Sequence, residues 1–275
     1  CTVVAMTSIE SIRRPVADQT TRRARIAVSA LFLTNGALFA NILPRYPEIK
    51  AALDLDNAGY GLAIAAFPAG AIAAGLFAAV LIRRFGSARI AVIGTICTGL
   101  GLLAAAFAPS GILFAVALLL GGAFDAITDV AQNAHGLRVQ RRYGRSIINS
   151  FHAIWSIGAV LGGGMAAAAI ALQLPLGVHL GISTAVFAAV AFTALWFCLP
   201  GRDEEADAEA TAEPVELQTA VRRGVSPRTV MILIALTLIA MAGAIAEDAG
   251  NSWATLYLSD CLLYTSDAAD DSLRV

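Results

Sequence analysis

The sequence predicts an all-α, polytopic membrane protein: a six-helix bundle followed by a seventh helix. Three observations lead there. Hydrophobic residues make up 58% of the 275 residues and charged residues 14%, with a mean hydropathy of +0.73, whereas a soluble domain is about 45–50% apolar and about 25% charged. Ala and Gly dominate the apolar stretches and aromatics reach only 7%, as in helices packed closely in a bilayer, where small side chains let backbones approach. The apolar residues also gather into runs of the about 20 residues that cross a membrane. This composition excludes a disordered chain, and 4 Cys are too few for a disulfide scaffold. A net charge of −1 points to no nucleic-acid partner.

The runs lie between charge clusters, in chain order at Ile26–Leu43, Ala58–Ile82, Ile90–Ala108, Gly111–His135, Ser146–Leu172, Gly177–Leu199 and Thr229–Ala246. Pro68 in span 2 removes a backbone hydrogen bond and bends that helix. Cys97 and Cys198 read as small packing residues of spans 3 and 6. The glycines Gly70, Gly75, Gly158, Gly162, Gly163 and Gly164 read as close-packing surfaces. His135, His179 and Trp196 stand near span ends and are expected at the interface. The links are short except Gly201–Arg228, which opens on RDEEADAEATAEPVE and closes on VRRGVSPR, a solvated linker between two membrane units. The expected organisation is a cytoplasmic tail (1–25), a six-helix bundle (26–200), a cytoplasmic linker (201–228) and the first helix of a truncated second bundle (229–260).

Orientation follows from the basic residues, which collect on the cytoplasmic side. Arg13, Arg14, Arg22, Arg23 and Arg25 precede span 1; Arg83, Arg84 and Arg89 follow span 2; Arg138, Arg141, Arg142 and Arg145 follow span 4; Arg202, Arg222, Arg223 and Arg228 lie in the linker. The alternate links carry only Arg45 and Lys50. The N-terminus is therefore expected in the cytoplasm. Met6 is expected as the natural start. Residues 261–275 (CLLYTSDAADDSLRV) resemble in-frame translation of a transposase sequencing adapter, which places Cys1 and Cys261 outside the natural chain.

Six spans, a long cytoplasmic linker and a seventh span resemble the first half of a major facilitator superfamily transporter with the start of its second half. The link between spans 2 and 3 carries that family's signature in the form AVLIRRFGSAR, keeping Arg84, Gly86 and Arg89 and departing at Ala79 and Arg83, where the family has Gly and Asp. The phrases PRYPEIKAALDLDNAGYGLAIAAFPAG, FDAITDVAQNAHGLRVQRRYGRSIINSFHAIWSIGAVLGGG and EDAGNSWATLYL are similar to a sugar-permease-like bacterial branch. The resemblance implies a cytoplasmic gate at Arg83, Arg84, Gly86 and Arg89. It also implies inverted repeats of spans 1–3 and 4–6. Drug–proton antiporters of the superfamily carry an Arg where this chain has Leu118, four residues before Gly122, which argues against that activity.

Ionisable and amide residues within the spans are the candidate site, because such groups are expensive in lipid and face a cavity or a partner. Asp125, Asp129 and Asn133 share one face of span 4 at i, i+4, i+8. Asn149, His152, Trp155 and Ser156 share one face of span 5. Counted from the basic turn between the two spans, Asp129 and His152 lie at one depth, Asp125 near Trp155, and Asn133 near Asn149. Asp129 and His152 are thus expected to form a protonatable couple, with Asp125 nearer the substrate. Asn35 lies roughly 14 Å into span 1 by helical rise, close to the midplane, where transporter substrate sites sit. Trp155 is expected either to stack on a sugar ring or to pack between helices, and Glu247 at the outer end of span 7 to be a gate or substrate residue or part of a solvated loop.

The expected function is secondary active transport of a small polar, sugar-like solute across the bacterial inner membrane by alternating access, coupled to protons. The alternatives are an efflux permease of the same superfamily and a seven-helix receptor; the basic N-tail and the absence of Lys from span 7 oppose the receptor. The partners are the solute, protons, the bilayer and the missing C-terminal half. No metal cluster, nucleophile–base pair or phosphate loop is found, and two Asp at i, i+4 on one helix make a poor aspartyl dyad, so neither a cofactor nor an enzyme is expected. In genomic DNA the reading frame should run on beyond Tyr257 into the rest of a second bundle; a stop codon there would contradict this reading.

Overall fold

A computed structural model describes residues 18–201 and 226–272. The tail through residue 17, the linker at 202–225 and residues 273–275, with the expectations that fall on them, lie outside the described residues. The chain forms α1 (Gln19–Ile42), a 3-10 turn (Leu43–Arg45), α2 (Tyr46–Ala52), α3 (Asn57–Phe85), α4 (Ser87–Ala106), α5 (Gly111–Tyr143), α6 (Ile148–Ala171), α7 (Leu176–Leu195) and α8 (Pro227–Ser272). Among the described residues 7 helices are long and apolar enough to cross a membrane, one for each expected span. Spans 1 to 7 are α1, α3, α4, α5, α6, α7 and α8.

The starts and stops follow from side-chain chemistry. The first backbone N–H groups of a helix lack intrahelical partners and are met by a capping oxygen. Asp18 accepts from Thr21 N at 2.8 Å, Asp56 from Gly59 N at 2.7 Å, and Ser110 from Leu113 N at 3.4 Å. The bonds from Thr21 hold the exposed Asp18 carboxyl below its ordinary range. Gly86 joins α3 to α4 at φ +88°, and Gly144 ends α5 in the left-handed region at φ +71°. Only glycine takes these conformations without strain. Two helices outrun their expected ends. Span 4 continues past His135 to the stop at Gly144. Span 7 continues past Ala246 through Ser272, the stretch assigned to the adapter included, because neither Pro nor Gly follows Gly250.

Helix α1 packs on α6 and α7, α5 on α3 and α4, and α4 on α7. Exchanging each span n of the first three with span n+3 maps these pairs onto one another, as an inverted repeat requires. Two pairs are joined through glycines in reciprocal fashion. A Cβ on Gly36 of α1 would strike the carbonyl oxygen of Trp155 on α6, and a Cβ on Gly158 of α6 would strike that of Leu33 on α1. The same pattern recurs between α3 and α5, where Gly70 meets the Leu119 carbonyl and Gly122 the Phe67 carbonyl. In each case a glycine faces the carbonyl three residues before its partner glycine.

Polar side chains tie span 6 at both ends. His135 and His179 are buried, not interfacial as expected; Trp196 is 73% exposed. At the end of span 6 Leu199 N donates to His135 Nε2 at 3.1 Å, which leaves Nδ1 as the protonated nitrogen facing Ser87 Oγ at 2.9 Å. Arg138 donates to the carbonyls of Pro200 and Gly201. At its start the Asn41 side-chain carbonyl receives His179 Nε2 at 2.7 Å and Ser183 Oγ at 3.3 Å. Arg45 is buried against Glu48 at 2.7 Å and donates to Leu174 O. It pins the link between α6 and α7.

Adding a methyl group at Gly36 forces the two backbones apart. Gly36→Ala is expected to lower stability by about 1–3 kcal/mol, the range for overpacking. Gly163→Ala, with nothing within 4 Å of its Cβ, should stay within about 0.5 kcal/mol of the parent. Thermal unfolding in detergent distinguishes the two.

Candidate functional site

The polar residues of spans 1, 4 and 5 meet inside the bundle in one connected network. Asn35 is its hub. Its Nδ2 donates to Asp125 Oδ1 at 2.7 Å, and its Oδ1 accepts from Trp155 Nε1 at 2.8 Å. Gln132 Nε2 bridges Asn35 Oδ1 at 3.5 Å and Asp129 Oδ1 at 3.3 Å. Asn133 Nδ2 completes the chain on Asp129, reaching its carboxylate at 3.1 Å and its backbone oxygen at 2.9 Å. Asn35 is 4% exposed and Gln132 is fully buried, while Asp125, Asp129, Asn133 and Trp155 are half-buried. The carboxylates are thus held by interior amides, and their residues are only partly shielded.

The helical positions explain the meeting. Asp125 stands one turn beyond Gly122, where α5 touches α3, and Asn35 stands beside Gly36, where α1 touches Trp155. Asp125 and Trp155 lie at one depth, as expected, because both bond the same amide. Among the described residues no Lys or Arg lies in α5 before Arg138 or anywhere in α6. The site is therefore acidic.

The network forms within a chain that matches the family model of the Major Facilitator Superfamily over residues 28–263. The chain belongs to the Major Facilitator Superfamily. It is 29% identical over 245 residues to an uncharacterized transporter of Sinorhizobium fredii, covering 88% of this chain and 61% of that protein. It is 30% identical over 152 residues to an uncharacterized MFS-type transporter of Yersinia pestis, covering 54% of this chain and 39% of that one. The chain thus spans less than two thirds of the length of these relatives. It is a multi-pass membrane protein of a transporter family, and nothing in these matches points to catalysis.

Within this superfamily frame, the other expected site residues stand apart from the network. Asp129 and His152 do not pair: Asp129 is bonded by Gln132 and Asn133, and the exposed His152 ring meets Phe32 edge-on at 5.2 Å between centroids. Equal depth on two helices does not bring side chains together when α5 and α6 scarcely touch. Asn149 is exposed on the first turn of α6, and Glu247 is exposed on α8. The outer end of α8 docks through its neighbours instead. Tyr60 donates to the Ser252 carbonyl at 2.8 Å, and its ring meets Trp253 edge-on at 5.0 Å.

In the link expected to form a gate, Arg83 and Arg84 end α3, Gly86 makes the turn, and Arg89 lies in the first turn of α4. All three arginines are exposed, and none pairs with a carboxylate among the described residues. Arg84 and Arg89 border a recess of about 860 Å³ that the end of span 6, Leu195–Gly201, closes on the other side. Gln132 is the site residue that sequence reading missed. It lies three positions after Asp129, on the side of α5 turned toward α1, and nothing but the packing of those helices marks it.

Removing the hub amide leaves Asp125 and Trp155 without partners. Asn35→Ala is expected to cost about 1–3 kcal/mol, the range for a buried group left unsatisfied. In a cycle with Trp155→Phe the two changes should be less than additive, with a coupling of about 0.5–3 kcal/mol by thermal unfolding.

Proposed function

We propose that this protein is a secondary active transporter that moves a small polar, sugar-like solute across the bacterial inner membrane by alternating access. Its N-terminus lies in the cytoplasm, by the distribution of arginines between alternate links. Coupling is to protons, carried by Asp125 and Asp129. The observation behind this reading is the Asn35-centred network, which holds two carboxylates inside a membrane bundle on helix stretches free of Lys and Arg. Ionisable groups so placed mark substrate and proton paths. Because the Asp129–His152 contact is absent, the coupling role rests on the carboxylates and their amides.

Alternating access needs contacts that close one side at a time. In α8 the residues from Val230 to Glu247 whose side chains are described are exposed, while Ser252 and Leu256 near its outer end are buried. The contacts of Tyr60 with Ser252 and Trp253 thus close the outer side between the first bundle and span 7.

The test is Asp125→Asn in the complete transporter, reconstituted in vesicles loaded with a pH-sensitive dye and offered a panel of sugars and amino sugars. The parent should acidify or alkalinise the lumen when a transported member is added. The variant should lose this response while still folding by thermal unfolding. Proton movement unchanged in both Asp125→Asn and Asp129→Asn would overturn the coupling.

A further inference from the structure

We infer that the solute carries a positive charge and meets the site as a hydrogen-bond donor: an ammonium-bearing compound such as an amino sugar or a small polyamine, and not an anion. The inference deepens the transport reading and rests on it. The argument is an inventory of donors and acceptors. Each side-chain nitrogen of the network already serves the network's own acceptors. Asn35 Nδ2 is on Asp125, Trp155 Nε1 on Asn35, Gln132 Nε2 on Asn35 and Asp129, and Asn133 Nδ2 on Asp129.

What remains is one N–H of Asn35 Nδ2 and a larger acceptor capacity. The second oxygen of each carboxylate accepts no hydrogen bond among the described residues, and both aspartates are half-buried. An independent observation sharpens this. Gln132 is fully buried, and its Oε1 has no partner although its Nε2 bridges Asn35 and Asp129. A buried acceptor without a donor is costly, and a donor on a bound solute or its escorting water would satisfy it. A phosphate or carboxylate solute would add acceptors where acceptors are already in excess and place negative charge beside two Asp.

The experiment compares probes matched in skeleton and differing in charge: glucosamine, glucose and gluconate, then putrescine, 1,4-butanediol and succinate. Binding to the complete transporter in detergent is read by tryptophan fluorescence and by thermal shift. An amine is expected to bind at least about tenfold tighter than its neutral counterpart, with the anionic member not binding. Asp129→Asn, checked for folding by its own unfolding curve, should reduce that preference. The inference is overturned if a neutral or anionic member binds as tightly as its amine, or if neither amine binds. A neutral sugar that binds and is transported sinks the charge inference and leaves the transport reading standing. An amine that binds but is not moved in vesicles supports the site and counts against transport.

Discussion

Two pairs of helices in this bundle touch backbone to backbone, and the position of every polar group inside it depends on that approach. At Gly36 and Gly158, α1 and α6 come so close that a methyl group on either would strike the other's carbonyl; Gly70 and Gly122 do the same for α3 and α5. Water cannot drive helices together in lipid, so packing distance and hydrogen bonds decide which faces meet. A reciprocal contact of this kind fixes both the axial register and the rotation of each helix. The first contact sets Asn35 against Trp155. The second turns Asp125, one helical turn beyond Gly122, toward Asn35. One clasp alone would leave the amide hub with a single partner.

Hydrogen bonds are distributed through the bundle in three layers. His135, Ser87 and Arg138 hold the end of span 6. Asn41, His179 and Ser183 hold its start. Between them the Asn35 network joins spans 1, 4 and 5. The two flanking layers hold no carboxylate and serve as structure, although His179 Nδ1 has no partner among the described residues. The middle layer holds two carboxylates, which with the Gln132 oxygen keep free capacity for accepting hydrogen bonds. That difference separates a binding site from a structural tie.

The link between spans 2 and 3 turns at a degenerate motif. Gly86 takes a positive φ of +88° there, and Arg83 stands where the family signature has an acid. Backbone geometry and charge are separate constraints at this position. The family resemblance pointed to Gly86 as part of a gate motif, and the arginines around it have no carboxylate partner among the described residues.

Composition and periodicity were sufficient for the fold class, the number of spans and the apolar centre of each helix, though not for every helix end, because burial in lipid imposes an apolar stretch of set length that is visible along the chain. The sequence also marked Asn35, Asp125, Asp129, Asn133 and Trp155, since polar groups stand out against an apolar background. It could not show which of them meet. Asp129 and His152 were counted to one depth yet face different neighbours; Gln132 was not singled out and bridges the site; His135 and His179 looked interfacial and are buried ties. Depth is a one-dimensional property that residue counting recovers. Rotation and neighbour choice are set by contacts between helices far apart in the chain, at glycines whose role depends on the carbonyl that faces them, and only the tertiary structure decides those.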